Sequence, residues 1–303
     1  MASPSDLTAP EGGASTKVLV TGLHGFTGRY VASALKERGY ECFGLIAADG
    51  VPLNLEDADG VREAVDRLRP EYVIHLAAVA FVAHADVGEF YKTNILGTRN
   101  LLAALDSVEV APRAVILASS ANVYGNNADV PLSESSLVEP VNDYAVSKLA
   151  MEYMARTWTD RLPLTIVRPF NYTGVGQNES FLVPKLVSHF AQRKTRVRLG
   201  NLEVARDFSD VRVVADVYAR LLTADVAGET YNVCSSKAVS LAELVDSLQT
   251  LTGHHIDIEV DAALVRSNEI KTLYGSGDRL RGLFPDYAPI PIEETLRWMI
   301  EAA

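Results

Sequence analysis

The run Lys17-Val18-Leu19-Val20-Thr21, followed by Gly22-Leu23-His24-Gly25-Phe26-Thr27-Gly28, constrains this chain more than any other segment. A short apolar, β-branched run of this kind makes a strand buried on both faces of a parallel sheet. Arg29 to Arg38 then shows helical spacing of apolar residues and stops at Gly39. A strand, a glycine turn and a helix bring backbone N–H groups and the positive helix end to one point, which attracts a phosphate. The spacing is G-x-x-G-x-x-G, not the G-x-G-x-x-G of the usual dinucleotide fingerprint. The flanking strand and helix give the turn its meaning.

Strand-like and helix-like runs alternate through the first half. Strands are predicted at 41–46, 72–76, 113–119 and 164–168, and helices at 57–68, 86–106 and 143–160. This alternation predicts an α/β fold, a Rossmann-type doubly wound parallel sheet with ligands at the carboxyl ends of its strands. The chemistry-bearing residues fall at such ends: Gly22, then Ala77 and Ala78 after His75-Leu76, Ser120 after Ala118, and Asn171 after Arg168. Past Pro169 the pattern loosens. Helices are predicted at 181–192, 211–223, 240–251 and 292–302, with short strands near 197–199, 206–209 and 230–233. The expected organisation is a disordered tail at 1–16 and a dinucleotide-binding domain at 17–168, completed by part of 206–234. A smaller C-terminal substrate-binding domain takes most of 169–303.

An apolar fraction of 48% and a charged fraction of 22% over 303 residues suit a soluble globular enzyme. A net charge of −11 argues against a nucleic-acid partner, which wants a basic face. The one basic run, Arg193 to Arg198, reads as a solvated helix end. Cys42 and Cys234 lie in apolar strand-like runs and are expected as buried free thiols in a reducing compartment. No apolar stretch reaches membrane-spanning length, and the Ser-, Pro-, Gly- and Ala-rich start lacks a signal-peptide core. A cytoplasmic enzyme is expected. His24, His84, His189, His254 and His255 show no metal-ligand spacing, and His75 reads as a structural strand-end residue. No metal is expected.

Ser119-Ser120 and Tyr144-Ala145-Val146-Ser147-Lys148 supply groups for moving a proton on or off an oxygen. A free Tyr, with a pKa of about 10, is a poor base at neutral pH. Lys148 follows Tyr144 by one helical turn on the same face, so its ammonium is expected to lower the phenol toward the useful range. Ser120, at a strand end, is placed to hydrogen-bond a substrate oxygen. Ser119 and Ser147 read as supporting residues and Tyr124 as a packing residue.

With these motifs, His75-Leu76-Ala77-Ala78 and Ser119-Ser120-Ala121-Asn122-Val123-Tyr124-Gly125, the chain resembles the extended short-chain dehydrogenase/reductases acting on nucleotide sugars over 17–303. Further segments are most like the GDP-6-deoxy-D-mannose reductases of that family. They are Arg168-Pro169-Phe170-Asn171, Gly174-Val175-Gly176-Gln177, Gly200-Asn201-Leu202-Glu203, Arg206-Asp207-Phe208, Tyr231-Asn232-Val233-Cys234-Ser235 and Arg266-Ser267-Asn268-Glu269. The resemblance implies Ser120, Tyr144 and Lys148 as catalytic residues, with Tyr144 and Lys148 also contacting the dinucleotide and Lys148 holding the nicotinamide ribose. It implies a dinucleotide against Gly22, Gly25, Phe26, Thr27 and Gly28, with Asn54 and Leu55 near adenine. Leu76, Ala77, Ala78 and Asn94 would stand on the nicotinamide side. Arg206 and Arg266 would take the diphosphate, Glu269 the nucleotide ribose, and Asn171 the diphosphate or sugar.

Sugar 4,6-dehydratases of that family carry an acid pair just after the catalytic hydroxyl, where this chain has Ala121 and Asn122. Its epimerase-reductases use a Cys and a His, but no Cys lies near Ser120, and Tyr172, not His, follows Asn171. Reduction of a 4-keto-6-deoxy nucleotide sugar is therefore expected, GDP-4-keto-6-deoxy-D-mannose giving GDP-D-rhamnose. A 6-deoxy-talose product, a heptose substrate or an NAD-dependent 4-epimerase use the same motifs. A non-catalytic dinucleotide-binding protein is argued against by the presence of all three catalytic groups. NADP and NAD both stay open, since Ile46-Ala47-Ala48-Asp49 offers no acid or Arg in the expected register and Arg29 is a candidate for a 2′-phosphate. The resemblance also implies a homodimer, pairing helices 86–106 and 143–160 into a four-helix bundle.

Overall fold

The computed structural model describes residues 16–80, 86–127, 130–261 and 271–303. Strand β1 (Lys17–Thr21) buries Val18, Leu19 and Val20 completely and leads through Gly22 into α1 (Phe26–Glu37). Gly22 has φ of +72°, a left-handed value that favours glycine, and a Cβ there would lie 3.0 Å from the Ala77 nitrogen. Gly28 brings the first turn of α1 onto the Gly22 carbonyl, where a Cβ would stand 2.2 Å away. These two contacts explain the glycine spacing.

The chain continues through β2 (Glu41–Phe43), α2 (Ala58–Leu68), β3 (Tyr72–His75), α3 (Val87–Tyr91), a π-helical segment (Lys92–Gly97) and α4 (Thr98–Ser107). It then forms β4 (Ala114–Ala118), a 3-10 turn (Ala121–Tyr124), α5 (Asp143–Arg156), β5 (Leu164–Pro169), β6 (Asn171–Thr173), α6 (Leu182–Ala191) and β7 (Arg196–Leu199). Next come β8 (Ala205–Asp210), α7 (Val211–Leu221), β9 (Thr230–Val233), β10 (Ala238–Ser240), α8 (Leu241–Thr252) and β11 (Asp257–Val260). The last elements are β12 (Thr272–Leu273), α9 (Asp278–Leu283) and α10 (Ile292–Glu301).

Among the described residues, six parallel strands form one sheet in the order β2-β1-β3-β4-β5-β9. The chain passes from β1 to β2 on one side and returns to β3 on the other, so a crevice opens at the β1 and β3 ends. Thr21 and His75 are register partners there. One sheet face buries Val31 and Leu35 of α1 with Val214 and Tyr218 of α7, and the other buries Val61, Leu101 and Met151 from α2, α4 and α5. Burial on both faces accounts for the near-continuous apolar strands. A second sheet orders β10-β8-β12, with β6 also on β8, and β7 pairs β11. Leu186 and Phe190 of α6, Leu244 and Leu248 of α8, and Leu296 of α10 gather in a separate core.

Periodicity predicts one helix over 86–106, but the π segment splits it into α3 and α4. The wider turn shifts the helical phase and buries both Asn94 and Gly97, whose Cβ would lie 2.7 Å from that of Leu55. Helix α5 ends at Arg156, short of the expected 160, because Trp158 and Leu162 turn back into the core. The basic run is a helix end only in its first half: the Arg193 and Lys194 N–H groups close α6 on the Phe190 and His189 carbonyls at 3.0 Å, while Arg196 and Arg198 project from β7, 3.9 and 3.4 Å from Glu259. Cys234 is buried as expected, but Cys42 is only half-buried; both are free thiols. Strands β6, β10, β11 and β12 and helix α9 are too short to register as periodic patterns.

Candidate active site

Helix α1 starts at Gly25 with no side-chain cap and no acidic residue in its first turn. Its leading N–H groups therefore face no competing side chain of the chain itself, and the cradle fits a pyrophosphate. Phe26 stacks on Tyr172 with ring centres 6.2 Å apart and planes 9° from parallel. The Thr27 hydroxyl lies 2.8 Å from the Tyr172 hydroxyl. Tyr172, noted in the sequence only where a His was missing, thus joins β6 to the glycine turn.

The remaining cofactor-side expectations scatter. Leu76, Ala77 and Ala78 are half-buried where β3 ends. Asn54 is exposed, its Oδ1 accepting the Glu56 N–H at 3.1 Å, and Leu55 is buried in the core. Asn94 is 1% exposed and its amide is committed to the Val79 backbone and to the Ser147 hydroxyl, 2.9 Å away. It braces the segment after β3 from within. Asp49 is exposed and accepts the Val51 N–H, while Arg29 reaches the Gly176 carbonyl at 3.5 Å.

Ser120 ends the segment after β4 and caps the 3-10 turn, its Oγ accepting the Asn122 N–H at 3.2 Å. Tyr144 on α5 lies beside Ser120, whose side chain lowers the phenol. Asn142 starts α5 by accepting the Ala145 N–H at 2.9 Å, which sets Tyr144 in the first turn. Tyr144 is 8% exposed, and its burial pushes the phenol up to about 12, with Ser120 opposing the shift. The Lys148 ammonium donates to the Ala118 carbonyl at 2.7 Å. Burial brings Lys148 down to about 8, and the Glu152 carboxylate holds it up. The expected lowering of the Tyr144 phenol by Lys148 does not appear: burial raises the phenol, and the ammonium is tied to a backbone carbonyl.

Behind the triad lies a buried polar network that the sequence did not disclose. Glu152, one turn past Lys148, accepts two hydrogen bonds from Arg168 at 2.9 and 2.6 Å and one from Ser119. Arg168 also donates to the Tyr124 hydroxyl at 3.0 Å, and that hydroxyl donates to Asn232 at 2.7 Å. The available signal was the i, i+4 spacing of Lys148 and Glu152. Its meaning depends on β5 passing alongside.

Among the expected substrate residues, Asn171 is exposed at the start of β6. It pairs with Phe208 on β8, the strand that also carries Arg206. Arg206 is half-buried, donating to the Ala205 and Lys271 carbonyls at 2.9 and 3.5 Å. Arg266 and Glu269, like His84, lie outside the described residues. Among the described residues, no three His, Cys, Asp or Glu side chains gather as a metal site.

Residues 18–234 match the model of the NAD dependent epimerase/dehydratase family. The chain belongs to this family. Among its relatives is GDP-6-deoxy-D-talose 4-dehydrogenase of Aggregatibacter actinomycetemcomitans, 35% identical over 265 residues, 87% of this chain and 90% of that one. The GDP-6-deoxy-D-mannose reductase of Pseudomonas aeruginosa is 34% identical over 294 residues, covering 93% and 95%. The structure of RMD from Pseudomonas aeruginosa complexed with NADPH superposes with a TM-score of 0.85 at 32% identity, covering 96% and 98%. As a member of the epimerase/dehydratase family, the chain is an NAD(P)-dependent oxidoreductase. Among the described residues, no helix is long and apolar enough to cross a membrane.

For this family member, the arrangement offers a protonated phenol beside a serine hydroxyl, with an ammonium one helical turn on. Such a set can give a proton to an oxygen that is gaining charge. Ala121 and Asn122, next to Ser120, offer no carboxyl group for dehydration.

Proposed function

We propose that the chain catalyses oxidoreduction at C4 of a GDP-linked 6-deoxy sugar, reducing GDP-4-keto-6-deoxy-D-mannose to GDP-D-rhamnose. The observation that carries this reading is a buried Tyr144 beside Ser120, its phenol protonated at neutral pH, with Lys148 one helical turn on. Two GDP-6-deoxy-hexose oxidoreductases among the relatives support the substrate class. A bound nicotinamide supplies the hydride. Tyr144 gives its proton to O4, Ser120 orients the carbonyl, and Lys148 holds the nicotinamide ribose and adds positive charge. Gly22, Gly25, Phe26, Thr27 and Gly28 hold the pyrophosphate, while Arg206, Arg266, Glu269 and Asn171 serve the sugar nucleotide. In this reading residues 17–168 and 230–233 serve the dinucleotide, and most of 169–303 serves the substrate.

The talose dehydrogenase relative favours a second product, GDP-6-deoxy-D-talose, the C4 epimer. NMR of the product made from the keto sugar and NADPH or NADH separates the two. Formation of either 4-hydroxy sugar with nicotinamide oxidation supports C4 reduction. Interconversion of 4-epimers without net nicotinamide oxidation overturns it in favour of an epimerase.

The proposal includes a homodimer. Leu96 on the π segment and Tyr153 on α5 are 53% and 56% exposed, and Val146 lies two helical turns from Tyr153 on the same α5 face. An exposed apolar patch of this kind suits a self-complementary helical interface. Light scattering at twice the monomer mass supports it; a monomer overturns it.

A further inference from the structure

His75 has no part in the proton transfer proposed for Tyr144, yet it is 2% exposed and both ring nitrogens are engaged. The Thr98 hydroxyl donates to the Asn94 carbonyl at 2.7 Å. That uses its only hydrogen, so towards His75 Nε2, 2.8 Å away, it accepts. Nε2 therefore carries the proton. Nδ1 is then the acceptor, and the Thr21 hydroxyl donates to it at 2.7 Å. Thr21 Oγ1 in turn receives the Ala77 N–H at 3.1 Å. Every direction in this chain of bonds is set by the backbone groups at its two ends.

The far end continues to the catalytic helix. The Asn94 side chain donates to Ser147 Oγ at 2.9 Å, and Ser147 Oγ donates to the Tyr144 carbonyl at 2.8 Å. The same Asn94 holds the Val79 backbone at 3.0 and 3.2 Å. Thr21 precedes the glycine turn, Ala77 and Val79 follow β3, and Tyr144 sits on α5. His75 is the hub between them.

A second proton on His75 would turn two N–H donors on Thr21 Oγ1 and leave the Thr21 hydrogen without its acceptor in a buried site. Burial holds the imidazole down at about 3, and the Lys148 cation adds to that. Lys148 is the charged group acting on the ring, since Thr21, Thr98 and Asn94 are neutral.

We propose that His75, fixed as the neutral Nε2–H tautomer, is a positioning residue that registers the glycine turn and the Leu76–Ala78 segment against the helix bearing Tyr144. This rests on the C4 oxidoreductase reading only where turnover is measured. The test pairs nitrogen-15 NMR of the His75 ring in the native protein with the variants Thr98→Val and Thr98→Ser. The Nε2–H tautomer is expected from pH 5 to 8, about the range over which an ordinary histidine titrates. Thr98→Val is expected to lower kcat about tenfold, with the sugar KM unchanged, because the reacting groups lose alignment. Thr98→Ser, which keeps the hydroxyl, is expected to restore it. An Nδ1–H tautomer or an imidazolium in that range overturns the proposal, as does Thr98→Val with native kcat. A native protein that turns over no GDP keto sugar defeats the functional reading instead, and the ring spectrum still decides for His75.

Discussion

The Lys148 ammonium donates to the Ala118 carbonyl at 2.7 Å, although Tyr144 lies one helical turn before it on the same helix. The cation is anchored at the end of β4, and Tyr144 keeps its proton. A buried phenol at about 12 is a poor base but a ready donor to an alkoxide formed by reduction.

Reduction is expected to lose rate as pH rises through about 8. Burial has moved Lys148 down to about 8, so its charge is complete below that value and gone above it. The pH profile of kcat checks this, with one proton lost on the alkaline limb. Glu152→Gln should move the limb to lower pH, because the carboxylate is what supports the charged lysine.

Glu152→Gln should also cost about 3–5 kcal/mol of stability, since it leaves the Arg168 guanidinium buried without its anion. Urea unfolding measures this. A loss below about 1 kcal/mol, the scale of a surface pair, contradicts the buried network.

Tyr172→Phe removes the hydroxyl that meets Thr27 but keeps the stack on Phe26. One net hydrogen bond is worth about 0.5–1.5 kcal/mol. A rise of about two- to tenfold in the dinucleotide KM is therefore expected, with the sugar KM unchanged. Initial-rate kinetics with each substrate varied in turn separate the two constants.

His75 makes the fold sensitive to acid. Its value is about 3 in the folded chain against an ordinary 6.5, so the unfolded chain binds the extra proton first. Stability from this group is complete above about 6.5 and falls as pH drops towards 3, by at most about 1.4 kcal/mol per pH unit. Asp207, raised by burial from 3.8 to about 6, acts in the opposite sense between those values. Comparing native protein with His75→Phe by denaturant unfolding between pH 4 and 7, roughly the histidine window, cancels the Asp207 contribution. The native protein should lose stability more steeply.

The glycine turn and the Tyr144–Lys148 pair were legible because their partners lie close in sequence. Gly22, Gly25 and Gly28 share one turn, and Tyr144 and Lys148 share one helix face. The His75 hub was not legible. Thr21 and Thr98 stand 54 and 23 residues from it, and only sheet register and the π segment bring them together. The break at Lys92–Gly97 was hidden for a related reason: an apolar pattern continues across a one-residue phase shift, while the backbone bonding changes. The height of the Tyr144 pKa depends on desolvation, which spacing does not report.

The most direct measurement is nicotinamide oxidation with GDP-4-keto-6-deoxy-D-mannose, comparing native protein with Tyr144→Phe. The native protein should oxidise one nicotinamide for each keto group reduced. The variant should lose about 10²- to 10⁴-fold in kcat while binding the dinucleotide as before. Native-like turnover by the variant contradicts the assignment of Tyr144 as the proton donor on which this mechanism depends.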